Sequence, residues 1–202
     1  MSIADTIFAL SSGQPPAAIG IIRISGPKAS NALRALSGSM PDERRASLAR
    51  LTDPESGDLL DNALILWFPG PNSATGEDLA EIHCHGGRAV VRALETALEN
   101  MDGLRCAEPG EFTRRAFTYG RMDLAEAEGL SDLLFAETEL QRRSAIQAAG
   151  GGLSRKVEDW QNNILRLSAM VEAELDFSDE DDVTPAQLEV MQSAVAELAT
   201  EM

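Results

Sequence analysis

Residues 18–25 read Ala-Ile-Gly-Ile-Ile-Arg-Ile-Ser. The run is β-branched and almost continuously apolar, the pattern of a strand buried on both faces. Only Arg23 interrupts it. Ser25-Gly26-Pro27 ends the strand, and 27–36 reads as a helix with Pro27 in its first turn. Working outward, 6–10 is a short apolar segment, followed by a turn-rich stretch over 11–16. Segments 47–52 and 59–68 flank Asp53-Pro54-Glu55-Ser56-Gly57, which predicts an antiparallel hairpin. A polar loop over 69–76 leads to a second core strand, 79–85. Gly86-Gly87 opens a helix with Val90, Val91, Leu94 and Leu98 on one face. A short strand at 104–107 and a helix beginning within 109–117 follow. Strands alternating with helices around one hairpin predict an α+β domain with a mixed sheet.

After Gly120 the strand signals vanish. Residues 124–138 and 139–149 read as helices, and Gly150-Gly151-Gly152 marks a break. Val157, Trp160, Ile164, Leu167, Val171 and Leu175 then recur at steps of three and four, a long amphipathic stripe. Thr184 is a suitable N-cap for a last helix with Pro185 at its first position. A chain that stops inside such a helix reads as truncated. Charge shifts at the same place. Residues 1–120 carry 15 acidic and 11 basic side chains, whereas 121–202 carry 18 and 6. Two domains are therefore expected, 1–119 and an all-α region over 120–202.

The formal net charge of −16 repels phosphate backbones, so the chain alone is a poor nucleic-acid ligand. Two cysteines form no disulfide framework. The first residues lack a signal-peptide pattern, and no apolar run reaches the ~20 residues of a membrane span. These features predict a soluble protein of a reducing compartment, the cytoplasm.

Several residues invite a chemical reading. His83 and His85 share one face of a strand and Cys84 takes the other. Two histidines and one distant cysteine, Cys106, fall short of a structural zinc site, so no metal is expected. Cys84 reads as a buried thiol rather than a nucleophile. Arg23 suits either an anionic or polar ligand at the sheet or a strand-end side chain reaching solvent. Arg114, Arg115 and Arg121 form a basic cluster able to hold a carboxylate or phosphate, or to pair with nearby acids. The polar loop 69–78 could carry a site or simply connect. The acidic run Asp179–Asp182 lacks EF-hand spacing and reads as a solvated loop. No G-x-x-x-x-G-K-[ST] phosphate cradle occurs, so GTP hydrolysis by this chain is not expected.

Taken in order, these segments resemble the MnmE (TrmE) family. The resemblance is carried by Asp5-Thr6-Ile7, Gly20-Ile21-Ile22-Arg23-Ile24-Ser25-Gly26, Trp67-Phe68-Pro69-Gly70-Pro71-Asn72-Ser73 and Thr75-Gly76-Glu77-Asp78. It continues through His85-Gly86-Gly87, Pro109-Gly110-Glu111-Phe112, Arg115-Ala116-Phe117, Asp123-Leu124-Ala125-Glu126-Ala127-Glu128 and Glu174-Leu175-Asp176-Phe177. It implies an N-terminal α+β domain similar to the tetrahydrofolate-binding domain of aminomethyltransferases, then the first part of a helical domain. It implies that the N-terminal domain makes a homodimer and binds 5-formyltetrahydrofolate or a related reduced folate, with contacts at Arg23, Glu81 and Arg121. The family also uses lysine at the last position; arginine keeps the charge and changes the geometry. Neither a catalytic residue nor a metal ligand is implied for this chain.

The resemblance further implies that the whole protein, with its FAD-containing partner MnmG (GidA), modifies carbon 5 of the wobble uridine in tRNA. GTP, magnesium and potassium would belong to a G domain outside these residues. Two other readings fit part of the pattern. A folate-dependent aminomethyltransferase shares the implied fold but would continue in strands after residue 120. A non-catalytic dimerisation module would bind no folate.

Overall fold

Six strands and seven helices make up the computed structural model, which describes residues 5–176 and 185–201. The acidic run 179–182, the predicted cap Thr184 and part of the 174–177 motif lie outside them. The chain divides into two compact units, Met1–Met122 and Asp123–Met202.

In the first unit, β2 (Ile19–Ser25) lies inside the sheet between β1 (Thr6–Leu10) and β5 (Leu79–His85), antiparallel to both. A strand with neighbours on both sides has every backbone donor and acceptor in a ladder, which suits the unbroken apolar run. β4 (Leu59–Phe68) pairs with β5, and β3 (Ser47–Thr52) closes that edge as the hairpin partner of β4. At the other edge β6 (Leu104–Cys106) runs parallel to β1. The order is β3-β4-β5-β2-β1-β6, a mixed sheet as expected.

Helices α1 (Ala29–Ser37) and α2 (Arg88–Glu99) pack on one face of the sheet. Phe8, Ile22, Ile24, Ile65, Ile82 and Cys84 point into that core with Leu33, Leu36, Leu94 and Leu98 from the helices. Strand alternation therefore sends Arg23, Glu81 and His83 to the opposite face. α1 starts two residues later than Pro27: Ala29 N–H already bonds the Gly26 carbonyl, and Thr6 Oγ1 accepts from Lys28 N–H. Pro27 thus sits in the turn that leads into the helix. α3 (Glu111–Thr118) and the loop over 69–78 reach the opposite face near Ser25.

The second unit is helical, as expected: α4 (Leu124–Phe135), α5 (Glu139–Ala149), α6 (Gly152–Asp176) and α7 (Pro185–Glu201). Asp123 and Glu126 form a reciprocal capping box at the start of α4, and Thr138 and Gln141 form another at α5. Leu134, Phe135 and Leu140 are exposed. None of the described helices is long and apolar enough to cross a membrane.

Candidate functional site

Arg23 and Glu81 face each other across β2 and β5, in register. Arg23 Nε and a terminal nitrogen donate to Glu81 Oε1 at 3.1 and 2.8 Å. The guanidinium also lies over the Phe112 ring of α3, 5.7 Å from its centroid. The other carboxylate oxygen of Glu81 is 3.3 Å from His83 Nε2. An ionised carboxylate offers about four acceptor positions, so Glu81 keeps capacity for a further donor.

Arg121 comes to this region through the end of α3. Gly120, at φ 65, takes the left-handed conformation that ends the helix, so Gly120 N–H bonds the Phe117 carbonyl and Arg121 N–H bonds that of Ala116. This paired Schellman closure reverses the chain and carries Arg121 against the 69–78 loop. Arg121 thus precedes α4 and belongs to the first unit, although the charge shift and loss of strand signals put the boundary at 119/120. Its contact is Gly76, where an added Cβ would lie 3.2 Å from Arg121 Cγ and 2.7 Å from Tyr119 Cβ. Gly76 also has φ 81, which a side chain resists. Gly76→Ala should destabilise the first unit by about 2 kcal/mol or more, through left-handed strain and overpacking. Urea unfolding checks this; a loss under about 0.5 kcal/mol would show that the loop accommodates the methyl group.

Glu81 and Arg121 line one concavity of about 310 Å³, with Arg44, Phe68, Asn72, Ser73, Ala74 and Leu79. The fold thus gathers the three residues singled out beforehand: Arg23 is bonded to Glu81, and Glu81 shares a cavity with Arg121. Arg44 and Phe68 escaped the sequence reading. Nothing marked Arg44 among other surface arginines, and Phe68 read only as a strand end and as part of the 67–73 motif, not as a site residue.

A buried ionic network underlies the cavity. Arg115, 8% exposed, donates to both Glu77 oxygens at 3.2 and 3.1 Å, to Asp5 Oδ1 at 2.8 Å and to Glu111 Oε1 at 3.3 Å. Arg105 adds bonds to Asp5 at 2.6 Å and to both Glu111 oxygens at 2.8 and 2.5 Å. Glu77 also accepts from Ser25 Oγ at 2.9 Å and Tyr119 Oη at 3.3 Å. The hydroxyls of Ser25 and Thr75 are 2.6 Å apart, and Ser73 Oγ donates to the Glu77 carbonyl. The loop is therefore bolted to β2 and α3 through Glu77, which accounts for its charged residue at a buried position. Of the basic cluster, Arg115 pairs with acids and Arg114 pairs with Glu108 and Glu111, whereas Arg121 joins no ion pair among the described residues.

The Arg105 hydrogen bonds hold the Glu111 carboxyl down at about 2, from an ordinary 4.5, against burial. For Asp5, burial pushes the carboxyl up, but bonds from Arg105 and Arg115 outweigh it and leave it below its usual range. Depressed carboxyls stabilise the fold fully above their unfolded values and lose that contribution as pH falls toward the folded ones. Glu111 alone accounts for about 3 kcal/mol lost between roughly pH 5 and pH 2. Glu111→Gln should flatten this limb of the stability–pH curve measured by denaturant unfolding. An equally steep limb in the variant would remove Glu111 as its source.

The histidines engage different carboxylates. His85 donates its backbone N–H to Asp61 Oδ2 at 2.7 Å, and its Nδ1 lies 2.7 Å from Oδ1. His83 meets Glu81. Among the described residues no group of three or more His, Cys, Asp or Glu converges on a metal position. Cys84 is buried and its thiol is pushed up, chiefly by burial, so it stays protonated at neutral pH. Its Sγ donates to the Gly20 carbonyl at 3.4 Å.

The family model described as "GTP-binding protein TrmE N-terminus" matches residues 6–121, more than half of the chain. The chain belongs to the TrmE (MnmE) family. A second model, "MnmE helical domain", matches 124–202. Among curated relatives, the tRNA modification GTPase MnmE of Novosphingobium aromaticivorans is 65% identical over 181 residues, 90% of this chain and 41% of its own. That of Erythrobacter litoralis is 67% identical over 179 residues, 89% of this chain and 42% of its own. One from Rhodopseudomonas palustris is 52% identical over 195 residues, 96% of this chain and 42% of its own. The chain thus spans about two fifths of the length of the MnmE proteins it matches.

Proposed function

We propose that the first unit is a reduced-folate-binding domain, and that the protein to which it belongs modifies tRNA wobble uridine with the help of GTP and of an FAD-containing MnmG partner. The observation that carries the folate reading is the convergence of three residues far apart in the chain: Arg23 is bonded to Glu81, and Glu81 lines one cavity with Arg121. A pterin edge carries amide-like donors that a carboxylate such as Glu81 accepts, and the glutamate tail of a folate is anionic and suits arginine. Dry walls from Phe68 and Leu79 suit a flat ring. Magnesium, potassium and GTP belong in this reading to a G domain outside residues 1–202, and the exposed Leu134, Phe135 and Leu140 support packing of further chain on the helical unit.

The homodimer expected of the first unit has physical support as well. Leu48, Leu64, His83 and Ile21 are successive register partners across four strands on the face away from α1 and α2. Leu48 and Leu64 are exposed there, an apolar pair fit to be covered by a second copy. Calorimetry of the chain with 5-formyltetrahydrofolate, alongside sedimentation at micromolar concentration, tests both parts. Saturable binding by a dimer is expected, with no GTP turnover by the same preparation because the P-loop motif is missing. Absence of folate binding would leave a bare dimerisation module; a monomer with and without folate would remove the dimer.

A further inference from the structure

Arg44 is the one non-glycine residue with positive φ among those described, at φ 59. A residue with a Cβ resists that conformation, and it persists where surrounding contacts over-determine it. Three contacts do so here. Arg44 N–H donates to the Trp67 carbonyl at 2.8 Å, a terminal guanidinium nitrogen donates to the Asn72 carbonyl, and the guanidinium stands 5.7 Å from the centroid of the Phe68 ring. The side chain is thereby aimed at the concavity that Glu81 and Arg121 also line.

Among the described residues, Arg23, Arg45, Arg105, Arg114, Arg115, Arg142 and Arg143 each pair with a carboxylate. Neither Arg44 nor Arg121 pairs with one among the described residues, although both are exposed. Glu81, the cavity's acid, is already engaged by Arg23 and lies deeper, its side chain 17% exposed. The cavity thus has a carboxylate in its depth and, at its rim, two guanidinium groups that pair with no carboxylate among the described residues. Asn72 takes one of the five N–H donors of Arg44, and the Phe68 ring centroid lies 5.7 Å from the guanidinium carbon.

We propose that Arg44 is a further ligand-binding residue, and that with Arg121 it forms an anion-binding rim for the carboxylate-bearing end of the ligand whose ring Glu81 receives. This rests on the reduced-folate reading above. It assigns a polarity to the site: ring inward at Glu81, anionic tail outward between the two arginines.

The test crosses a protein change with a ligand change. Arg44→Gly removes the side chain and suits the left-handed backbone, so the fold should persist, as a thermal melt will register. Binding of 5-formyltetrahydrofolate and of its glutamate dimethyl ester, which keeps the ring and loses both tail charges, is measured by calorimetry for parent and variant. The parent should favour the acid over the ester by about tenfold or more, the scale of one charged hydrogen bond. Arg44→Gly should weaken the acid by about that factor and leave the ester unchanged, and added salt should weaken the acid more in the parent than in the variant. The assignment is overturned if the variant keeps the parent's full preference for the acid, or if it loses acid and ester equally. If the parent binds neither form, the folate reading fails first and the rim falls with it.

Discussion

Arg115→Ala is expected to destabilise the first unit by about 3–5 kcal/mol, a large share of the ~5–15 kcal/mol that holds a domain folded. Arg115 is the cation shared by Asp5, Glu77 and Glu111, and its side chain is nearly buried. Removing it leaves Glu77 with hydroxyl partners alone, Asp5 with Arg105, and Glu111 with Arg105 and the more exposed Arg114. The clustered carboxylates then repel with less positive charge among them, and desolvation of Glu77 is no longer offset. The loop over 69–78 should loosen first, since Glu77 is its bolt to β2 and α3. Denaturant unfolding measures the loss. Arg45→Ala serves as the comparison, because the Arg45–Asp42 pair is 3.4 Å long and highly exposed, and such pairs contribute at most about 1 kcal/mol. Equal losses for the two variants would mean that the network contributes no more than a surface pair.

Glu81→Ala should weaken 5-formyltetrahydrofolate binding by about 2–5 kcal/mol, the effect of removing a charged partner from a shielded site. Two losses combine. The proposed acceptor for the pterin edge disappears, and Arg23, which Glu81 Oε1 holds through two hydrogen bonds, is left without its carboxylate. Circular dichroism and sedimentation should stay close to the parent, because β5 is anchored by Ala80, Ile82 and Cys84 on the other face. Glu81→Gln separates the two losses. It keeps an acceptor but gives up the charge, so it should fall between parent and alanine variant. Parent-like affinity in Glu81→Ala would put the pterin edge elsewhere.

Several elements were legible residue by residue. The hairpin strands occupy 47–52 and 59–68, as their apolar runs and the Asp53–Gly57 turn imply, and α5 spans 139–149 between a Thr138 cap and Gly150. Local chemistry suffices in such places, because a turn, a cap or a period of two involves only neighbours along the chain. The start of α1 was less legible. A proline early in a helical pattern suits the first turn, yet Thr6, 22 residues away, caps the Lys28 N–H and moves the start to Ala29.

The site divides in the same way. The sequence by itself determined that Arg23 is an unusual charge in an apolar strand and that His83 and His85 share the strand face opposite Cys84. It determined the α+β character before residue 120 and the helical character after it. Only the tertiary structure decided which arginine of the cluster is committed. Arg115 finds Asp5 across 110 residues and Glu77 across 38, whereas Arg121, one Schellman turn later, is left at a cavity mouth. Only the tertiary structure brought Arg44 to that mouth. The physical reason is that pairing is a property of distance in space: an ion pair needs a few ångströms, and which charges come that close is set by how β1, β5, α3 and the 69–78 loop meet on one face of the sheet.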